Sequence, residues 1–336
     1  MIRAGLDSRA FPAAAVSVGD SDGAIWEEAF GALTYETDAA ACTTDTVFDL
    51  ASLTKVIATA SIAMRQTASG AIALTSTVGD VLPSCASSHA AAVPVRQLLD
   101  HSSGLPAHVR LWRVATGPDE YLARLCSTPL EREPGASSVY SDAGFMLLGA
   151  MLERAGAARL DQQLAECLGE LADDLRFLPP AEWKIRTAPT EVDSWRGRLL
   201  VGEVHDENAA ALGGVAPHAG LFGTAPAVGS FARLVLQTFR ERTLLATPQQ
   251  MHLFASRTGV PGSSRALGWD TALPTSSCGI RMSARAIGHT GFTGTSLWID
   301  PERDVYAVLL TNRVHPTRAN EKLLPLRPRF HDALPF

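Results

Sequence analysis

Strand-like sequence stands at the two ends of this chain and helix-like sequence lies between, so any sheet has to be assembled from both ends around an inserted middle. Near the start, Ala13 to Val18, the dipeptide Asp22-Gly23 and the stretch Ala24-Ile25-Trp26 predict a hairpin, because Asp-Gly supplies the positive φ of a tight two-residue turn. Near the end, Ala286 to Ile299 and Val305 to Thr311 read as strands, followed by a helix-like segment from Arg318 to Leu324 that Pro325 stops. From about residue 53 to 165 the apolar spacing is helical, with stops at Gly70, Pro83 and Gly156; Val95–Leu99 and Asp142–Arg154 are predicted helices. Residues 179–229 are rich in Pro and Gly and irregular, and a helix follows at about 226–242. The pattern predicts an α/β plus all-α protein: residues 1–60 and 225–336 form a sheet lobe, and 61–224 a mainly helical lobe with irregular loops.

With 336 residues, 46% of them hydrophobic and 19% charged, the chain has the composition of a globular protein with a substantial core. A net charge of −6 and the lack of a Lys/Arg run argue against a nucleic-acid surface and leave a small molecule or short peptide as the expected partner. Five cysteines, at 42, 85, 126, 167 and 278, are odd in number and never form Cys-x-x-Cys, so they are read as reduced thiols, with no disulfide framework and no thiolate metal site. No apolar run reaches the ~18 residues of a membrane span. The first residues lack the apolar segment of a secretory signal, so the chain reads as cytoplasmic as it stands, or as periplasmic or extracellular if a leader has been removed.

Lysine occurs three times, at 55, 184 and 322, among 29 basic residues. Any position that keeps lysine therefore invites a reason why arginine would not do. Lys55 has one: it follows Ser52 by three residues, where the strand-like Val47–Leu50 gives way to the helix-like Val56–Ala60, which puts both side chains on one helical face. An ammonium held out of water beside other cations can lose a proton, whereas a guanidinium cannot, and a serine nucleophile needs a partner that accepts one.

Two more motifs follow in order. Tyr140-Ser141-Asp142 stands at a helix entry, and His289-Thr290-Gly291-Phe292 lies in the first closing strand. Together with Ser52-x-x-Lys55 they resemble the Ser-x-x-Lys, Tyr-x-Asn and Lys-Thr-Gly signatures of the serine β-lactamase and penicillin-binding-protein superfamily. The tyrosine is similar to that of the class C β-lactamase-like branch, which includes DD-carboxypeptidases, esterases and muropeptide amidases. The likeness spans nearly the whole chain, since His101–Pro106, Val204–Asn208 and His218–Gly223 are also similar to segments of that branch.

The resemblance implies a β-lactamase/transpeptidase-like fold and a cofactor-free serine acyl hydrolase. Ser52 would attack an acyl carbonyl, Lys55 and Tyr140 would relay its proton to the leaving group, and water would then release the acyl-enzyme. The oxyanion would lie between the backbone N–H groups of Ser52 and Phe292, donors worth roughly 2.7–4 kcal/mol each. Asp142, His289, Thr290, Gly291 and Phe292 would bind substrate. Two departures bend the expectation. His289 replaces lysine, so the cation facing a substrate carboxylate should titrate near ~6.5 and penicillin turnover should be weak. Asp142 replaces asparagine; it could pair with Lys55, or it could bind a substrate amine or N–H.

Other patterns carry less. Ala15-Val16-Ser17-Val18-Gly19 falls one residue short of a Gly-x-Ser-x-Gly elbow and is followed by a turn and a second strand, not a helix. Arg257-Thr258-Gly259 sits in loop-like sequence, where the third signature needs a strand. His205, Asp206, Glu207 and His218 lack the spacing of a metal site and read as a loop bordering the cleft, and His101 as a structural hydrogen-bonder. The preferred substrate is an amide or ester of a peptidoglycan-derived peptide or muropeptide. A carboxylesterase is the alternative, and a non-catalytic sensor of peptidoglycan fragments is the alternative of another class.

Overall fold

The computed structural model describes residues 1–335. Its main sheet has six antiparallel strands: β1 (Ala13–Gly19), β2 (Ala24–Gly31), β3 (Asp270–Thr271), β4 (Ile287–Thr290), β5 (Ser296–Asp300) and β6 (Val305–Thr311), in the spatial order β2-β1-β6-β5-β4-β3. The two chain ends meet at its centre, where Ala14 lies opposite Thr311 and Gly19 opposite Tyr306. β1 is buried throughout because both of its faces are covered. Ala13 and Ala15 join the core beneath helix Ala225–Thr238, whereas Ala14, Val16 and Val18 pack with Phe11, Trp298 and Phe330 on the far side. This is an antiparallel sheet flanked by helices, the β-lactamase/transpeptidase-like arrangement.

The middle of the chain is organised on helix Asp142–Gly156, which buries nine residues against helices Ser61–Ser69, Val95–Leu99 and Gly117–Cys126. A small sheet ties the chain's two halves together: Leu221–Gly223 pairs with Phe48–Asp49 on one side and Leu175–Phe177 on the other. No helix among the described residues is long and apolar enough to cross a membrane.

Four local expectations need correction. The first hairpin forms, but its turn is longer than two residues: Asp20 N–H donates to the Gly23 carbonyl at 3.0 Å, and Asp20 Oδ1 accepts from the N–H groups of Asp22 (2.8 Å) and Gly23 (3.0 Å). An aspartate side chain, not a positive-φ glycine, makes that turn. The segment 286–299 is two strands, β4 and β5, because the chain reverses at 291–295. A Cβ on Gly291 would fall 2.0 Å from Thr295 Oγ1 and 2.7 Å from the Leu50 carbonyl, and Gly294 has φ +112°. Pro325 starts a helix, Leu326–Asp332, where it was expected to stop one, since its fixed φ suits a helix entry. Finally, Cys85 and Cys126 form a disulfide where helix Gly117–Cys126 packs on the turn Pro83–Cys85; Cys42, Cys167 and Cys278 are buried thiols. Sequence spacing cannot reveal such a pair, because tertiary packing brings its Cα atoms to 5.1 Å.

The disulfide predicts a simple count. Denatured without reductant, the protein should take up alkylating reagent at three cysteines, and at five after reduction, as read by intact-mass spectrometry; five without reduction would refute the pair. Closing a loop of this length is expected to stabilise the fold by about 4 kcal/mol, so reduction should lower the urea midpoint.

Candidate active site

Ser52 sits in a tight turn, Ala51–Leu53, after Phe48–Asp49, and leads into a wide-turned π-helix, Lys55–Ala60. The preceding residue, Ala51, has φ +47°, a left-handed conformation that costs a non-glycine residue about 1–2 kcal/mol and needs fixing from outside. The fixing is visible. Asp49 Oδ1 accepts the Ala51 N–H at 2.8 Å, Thr54 Oγ1 donates to the Ala51 carbonyl at 2.6 Å, and Leu50 N–H donates to the Leu221 carbonyl at 2.9 Å. From the β4–β5 turn, Thr293 Oγ1 donates to the Asp49 carbonyl at 2.7 Å and Thr295 Oγ1 to the Leu50 carbonyl at 3.0 Å. The turn carrying Ser52 is thus bolted to the segment carrying Phe292.

Lys55 is completely buried. Its Nζ donates to Ser52 Oγ at 3.2 Å and to the His218 carbonyl at 3.0 Å, and lies 2.7 Å from Asp142 Oδ1. Two hydrogen bonds and one close ion pair surround it with oxygens, which is how a buried ammonium is tolerated. Burial works against its charge, but Asp142 and the neighbouring Tyr140 oxygen outweigh it and hold the Lys55 pKa above the ordinary lysine value. The converse holds for Asp142: burial would raise its carboxyl, yet Lys55, His108 and His218 bring it well below the usual carboxylate range. Of the two roles open to Asp142, the geometry shows pairing with Lys55, while its other oxygen meets His108 Nδ1 at 3.2 Å.

Tyr140 Oη donates to Ser52 Oγ at 2.8 Å. Burial raises its pKa, and the opposing pull of Lys55 is too weak to reverse that, so the resting group is a neutral phenol. The Tyr140 ring packs on His101, centroids 4.6 Å apart, and lies near His289, at 5.8 Å. His101 Nδ1 accepts the Ser141 N–H at 3.0 Å, the structural part expected of it. Ser141 caps helix Asp142–Gly156 through its bond from Gly144 N–H, which places Tyr140 just before the helix and Asp142 in its first turn.

The third motif departs from expectation. His289 is 4% exposed, and burial, then Arg265 and Lys55, depress its pKa well below 6.5; it is a neutral imidazole with Nδ1 on the Thr290 carbonyl at 2.8 Å. It therefore presents no cation at neutral pH. Thr290 ends β4, Gly291 opens the turn, and Phe292 lies within the turn, half exposed, not on a strand. Ser52, Tyr140, Asp142 and Phe292 line one cleft of about 770 Å³, together with His108 and Asp206; His289, Thr290 and Gly291 do not line it.

Some residues here had no sequence motif. Asp49 was visible only as an acid inside an apolar run; buried, it also accepts the His205 N–H at 2.7 Å and so joins the Ser52 turn to the 204–208 loop. In that loop His205 pairs with Glu191 at 2.8 Å and His218 with Asp206 at 2.9 Å, so these four residues pair with one another along the cleft. Arg318 closes the group from the far end, with Glu191 at 2.6 Å and Glu207 at 2.9 Å.

The family model described as Beta-lactamase matches residues 1–328. The chain belongs to the Beta-lactamase family. Among its curated relatives, a Salmonella agona (strain SL483) protein named "Putative D-alanyl-D-alanine carboxypeptidase" is 28% identical over 315 residues, covering 84% of this chain and 73% of that protein. A penicillin-binding-protein homologue from Caulobacter crescentus superposes with a TM-score of 0.73 at 22% identity, covering 92% of this chain and 91% of its own. EstCE1, described as a hydrolase with promiscuous acyltransferase activity, gives 0.75 at 19% identity, covering 97% and 96%. Both likenesses carry the fold of the Beta-lactamase family.

Asp49 offers a test of how the Ser52 turn is held. Asp49→Ala leaves two buried N–H groups unpaired, each expected to cost about 1–3 kcal/mol, so the urea midpoint should fall. Hydrolysis by the surviving folded fraction should fall with it, because Ala51 loses its restraint. A variant of unchanged stability and rate would show that Asp49 does not fix the turn.

Proposed function

We propose that this protein is a serine acyl hydrolase that forms an acyl-enzyme on Ser52 and cleaves an amide or ester in a peptidoglycan-derived peptide or muropeptide, as a DD-peptidase or amidase, with weak β-lactam turnover at most. The observation that carries it is the double contact on Ser52 Oγ, 2.8 Å from Tyr140 Oη and 3.2 Å from Lys55 Nζ, beside an open cleft. A hydroxyl flanked by two proton-carrying groups at bonding distance is the arrangement a relay needs.

At rest both partners donate to the serine, so its proton has no acceptor until one of them is deprotonated. Asp142 pins the proton of Lys55, which leaves Tyr140 as the base. Its phenolate takes the Ser52 proton as Oγ adds to the acyl carbon, and then delivers it to the departing amine or alkoxide. The N–H groups of Ser52 and Phe292 would hold the oxyanion; Thr293 and Thr295, which join the two segments, would fix their spacing. Water then adds to the acyl-enzyme and the proton returns through Tyr140. The leaving-group chemistry is read in part from the name of the Salmonella relative.

A carboxylesterase is the second reading, favoured by the neutral, buried His289 and in keeping with the hydrolase EstCE1 among the structural neighbours. Short acyl esters assayed beside D-Ala-D-Ala peptides and muropeptides separate the two. A fluorophosphonate should add one mass increment to the wild type and none to Ser52→Ala; absence of any adduct in the wild type would instead favour a fragment-binding sensor.

Because the base form must be populated from a phenol whose pKa is raised, kcat/KM for a neutral ester should climb with pH, by about tenfold per unit between about pH 6 and 9. Asp142→Asn removes the charge that favours the protonated Lys55 and opposes the Tyr140 phenolate. Both pKa values fall, so the rising limb should move to lower pH by about one to three units. A limb that stays in place or moves upward would refute this assignment of the proton.

A further inference from the structure

The turn 291–295, which joins β4 to β5 and carries Phe292, is clasped by the last helix, Leu326–Asp332. Two buried side chains one helical turn apart do this. His331 Nε2 meets Ser296 Oγ at 3.0 Å, while Arg327 Nη2 donates to the Thr295 carbonyl at 3.3 Å and reaches the Gly291 carbonyl at 3.5 Å. Neither carbonyl depends on the guanidinium for a partner: Thr295 already accepts the Gly291 N–H at 2.8 Å, and Gly291 the Gly294 N–H at 3.1 Å.

The guanidinium is also costly where it lies. Arg327 is 6% exposed, and no carboxylate among the described residues pairs with it. Its neighbouring cation, Arg313, is buried too: Nη1 rests on the Asn320 carbonyl at 2.6 Å, the guanidinium lies 4.7 Å from the Phe292 ring centroid, and Glu321 and Glu191 act on it only from a distance. Burial, then Arg313, lowers the Arg327 pKa to about 10, which leaves it a cation at neutral pH. Two buried guanidiniums that repel each other without a paired anion are held against the stability of the fold. A negative charge formed close by would relieve that cost.

The Gly291 carbonyl belongs to the same peptide group as the Phe292 N–H, and that N–H has no acceptor among the described residues. A cation at the oxygen end of an amide polarises it and makes its N–H a stronger donor. Arg327 does not line the cleft, so it reaches the chemistry only through this peptide. We infer that Arg327 is a positioning residue of the oxyanion site: it fixes and polarises the Gly291–Phe292 peptide so that the N–H meets the charge formed on the substrate's carbonyl oxygen. That transient charge is the anion missing at rest. The inference rests on the acyl-hydrolase reading above, in which Ser52 and Phe292 hold the oxyanion, and adds the charge that backs one of those donors.

The test uses Arg327→Met, which keeps an unbranched stem and removes the charge, with phenyl acetate as a neutral ester and phenylboronic acid as a mimic of the charged intermediate. As boron bonds to Ser52 Oγ and the hydroxyl proton leaves, the boronate becomes a tetrahedral anion. Arg327→Met should match or exceed the wild-type urea midpoint, because it removes an unpaired buried charge. Acylation and deacylation both pass through an oxyanion, so kcat for phenyl acetate should fall by about tenfold or more, with KM changed by less than about twofold. The inhibition constant of phenylboronic acid should rise by the same factor as kcat falls, and Arg327→Lys should recover part of both. A lowered midpoint with kcat and the inhibition constant of the folded protein unchanged marks a structural clasp and overturns the inference, as does a raised KM at constant kcat. Should Arg327→Met not fold, Arg327→Gln, neutral but still able to donate to the same carbonyls, is judged by the same kcat and inhibition criteria. A wild type that neither hydrolyses the ester nor takes up the boronic acid at Ser52 refutes the acyl-hydrolase reading, and the inference with it; an active wild type puts Arg327 alone to the test.

Discussion

One buried charge organises the functional half of this molecule. The Lys55 ammonium draws in a hydroxyl from the turn just before its own helix, a carbonyl from the 218–223 segment and a carboxylate from the start of a helix near residue 142. The three are gathered because a buried cation without oxygens around it costs several kcal/mol. Segments far apart in sequence are therefore pinned to one point, and the cleft is the space they leave open. The same interaction sets the resting charges, since Asp142 holds the proton on the lysine beside a Tyr140 phenol whose pKa burial raises.

A second set of contacts gives this arrangement its precision. The left-handed Ala51 places Ser52, and the restraint on it passes through Asp49 to the loop at His205 and through Thr293 and Thr295 to the β4–β5 turn. The main sheet supplies that turn as a rigid platform, since β5 is fully buried and paired on both sides. The acid–histidine pairs around Glu191 and Asp206 extend the support along the cleft wall. Fold and site are thus joined by backbone carbonyls more than by motif side chains.

What could be read from the sequence divides along that line. Strand-like ends around a helical middle announced the sheet, because apolar alternation is local information, and serine and lysine three residues apart were legible for the same reason. Tyr140 and Asp142 could be located because Tyr140-Ser141-Asp142, at a helix entry, resembles the second signature of the family. The Cys85–Cys126 pair and the bond from His205 to Asp49 were not legible, since each depends on packing between segments that carry no shared pattern. Phe292 was placed on a strand because its neighbours are strand formers, whereas Gly291 and Gly294 let the chain reverse there. His289 was given the properties of an exposed imidazole, and burial among cations removed them.

The pairing of β1 with β6 joins the first strand to the last, and this governs how the protein comes into being. During synthesis the opening hairpin emerges early with one edge bare, and its partner is still unmade until residues 305–311 have left the ribosome. Contacts of such long sequence separation close late, so the half-built sheet spends the intervening seconds exposed to aggregation or to chaperones. A circular permutant that fuses the two ends and opens a surface loop elsewhere would make the central strands neighbours in sequence, and should shorten that vulnerable interval without touching the cleft.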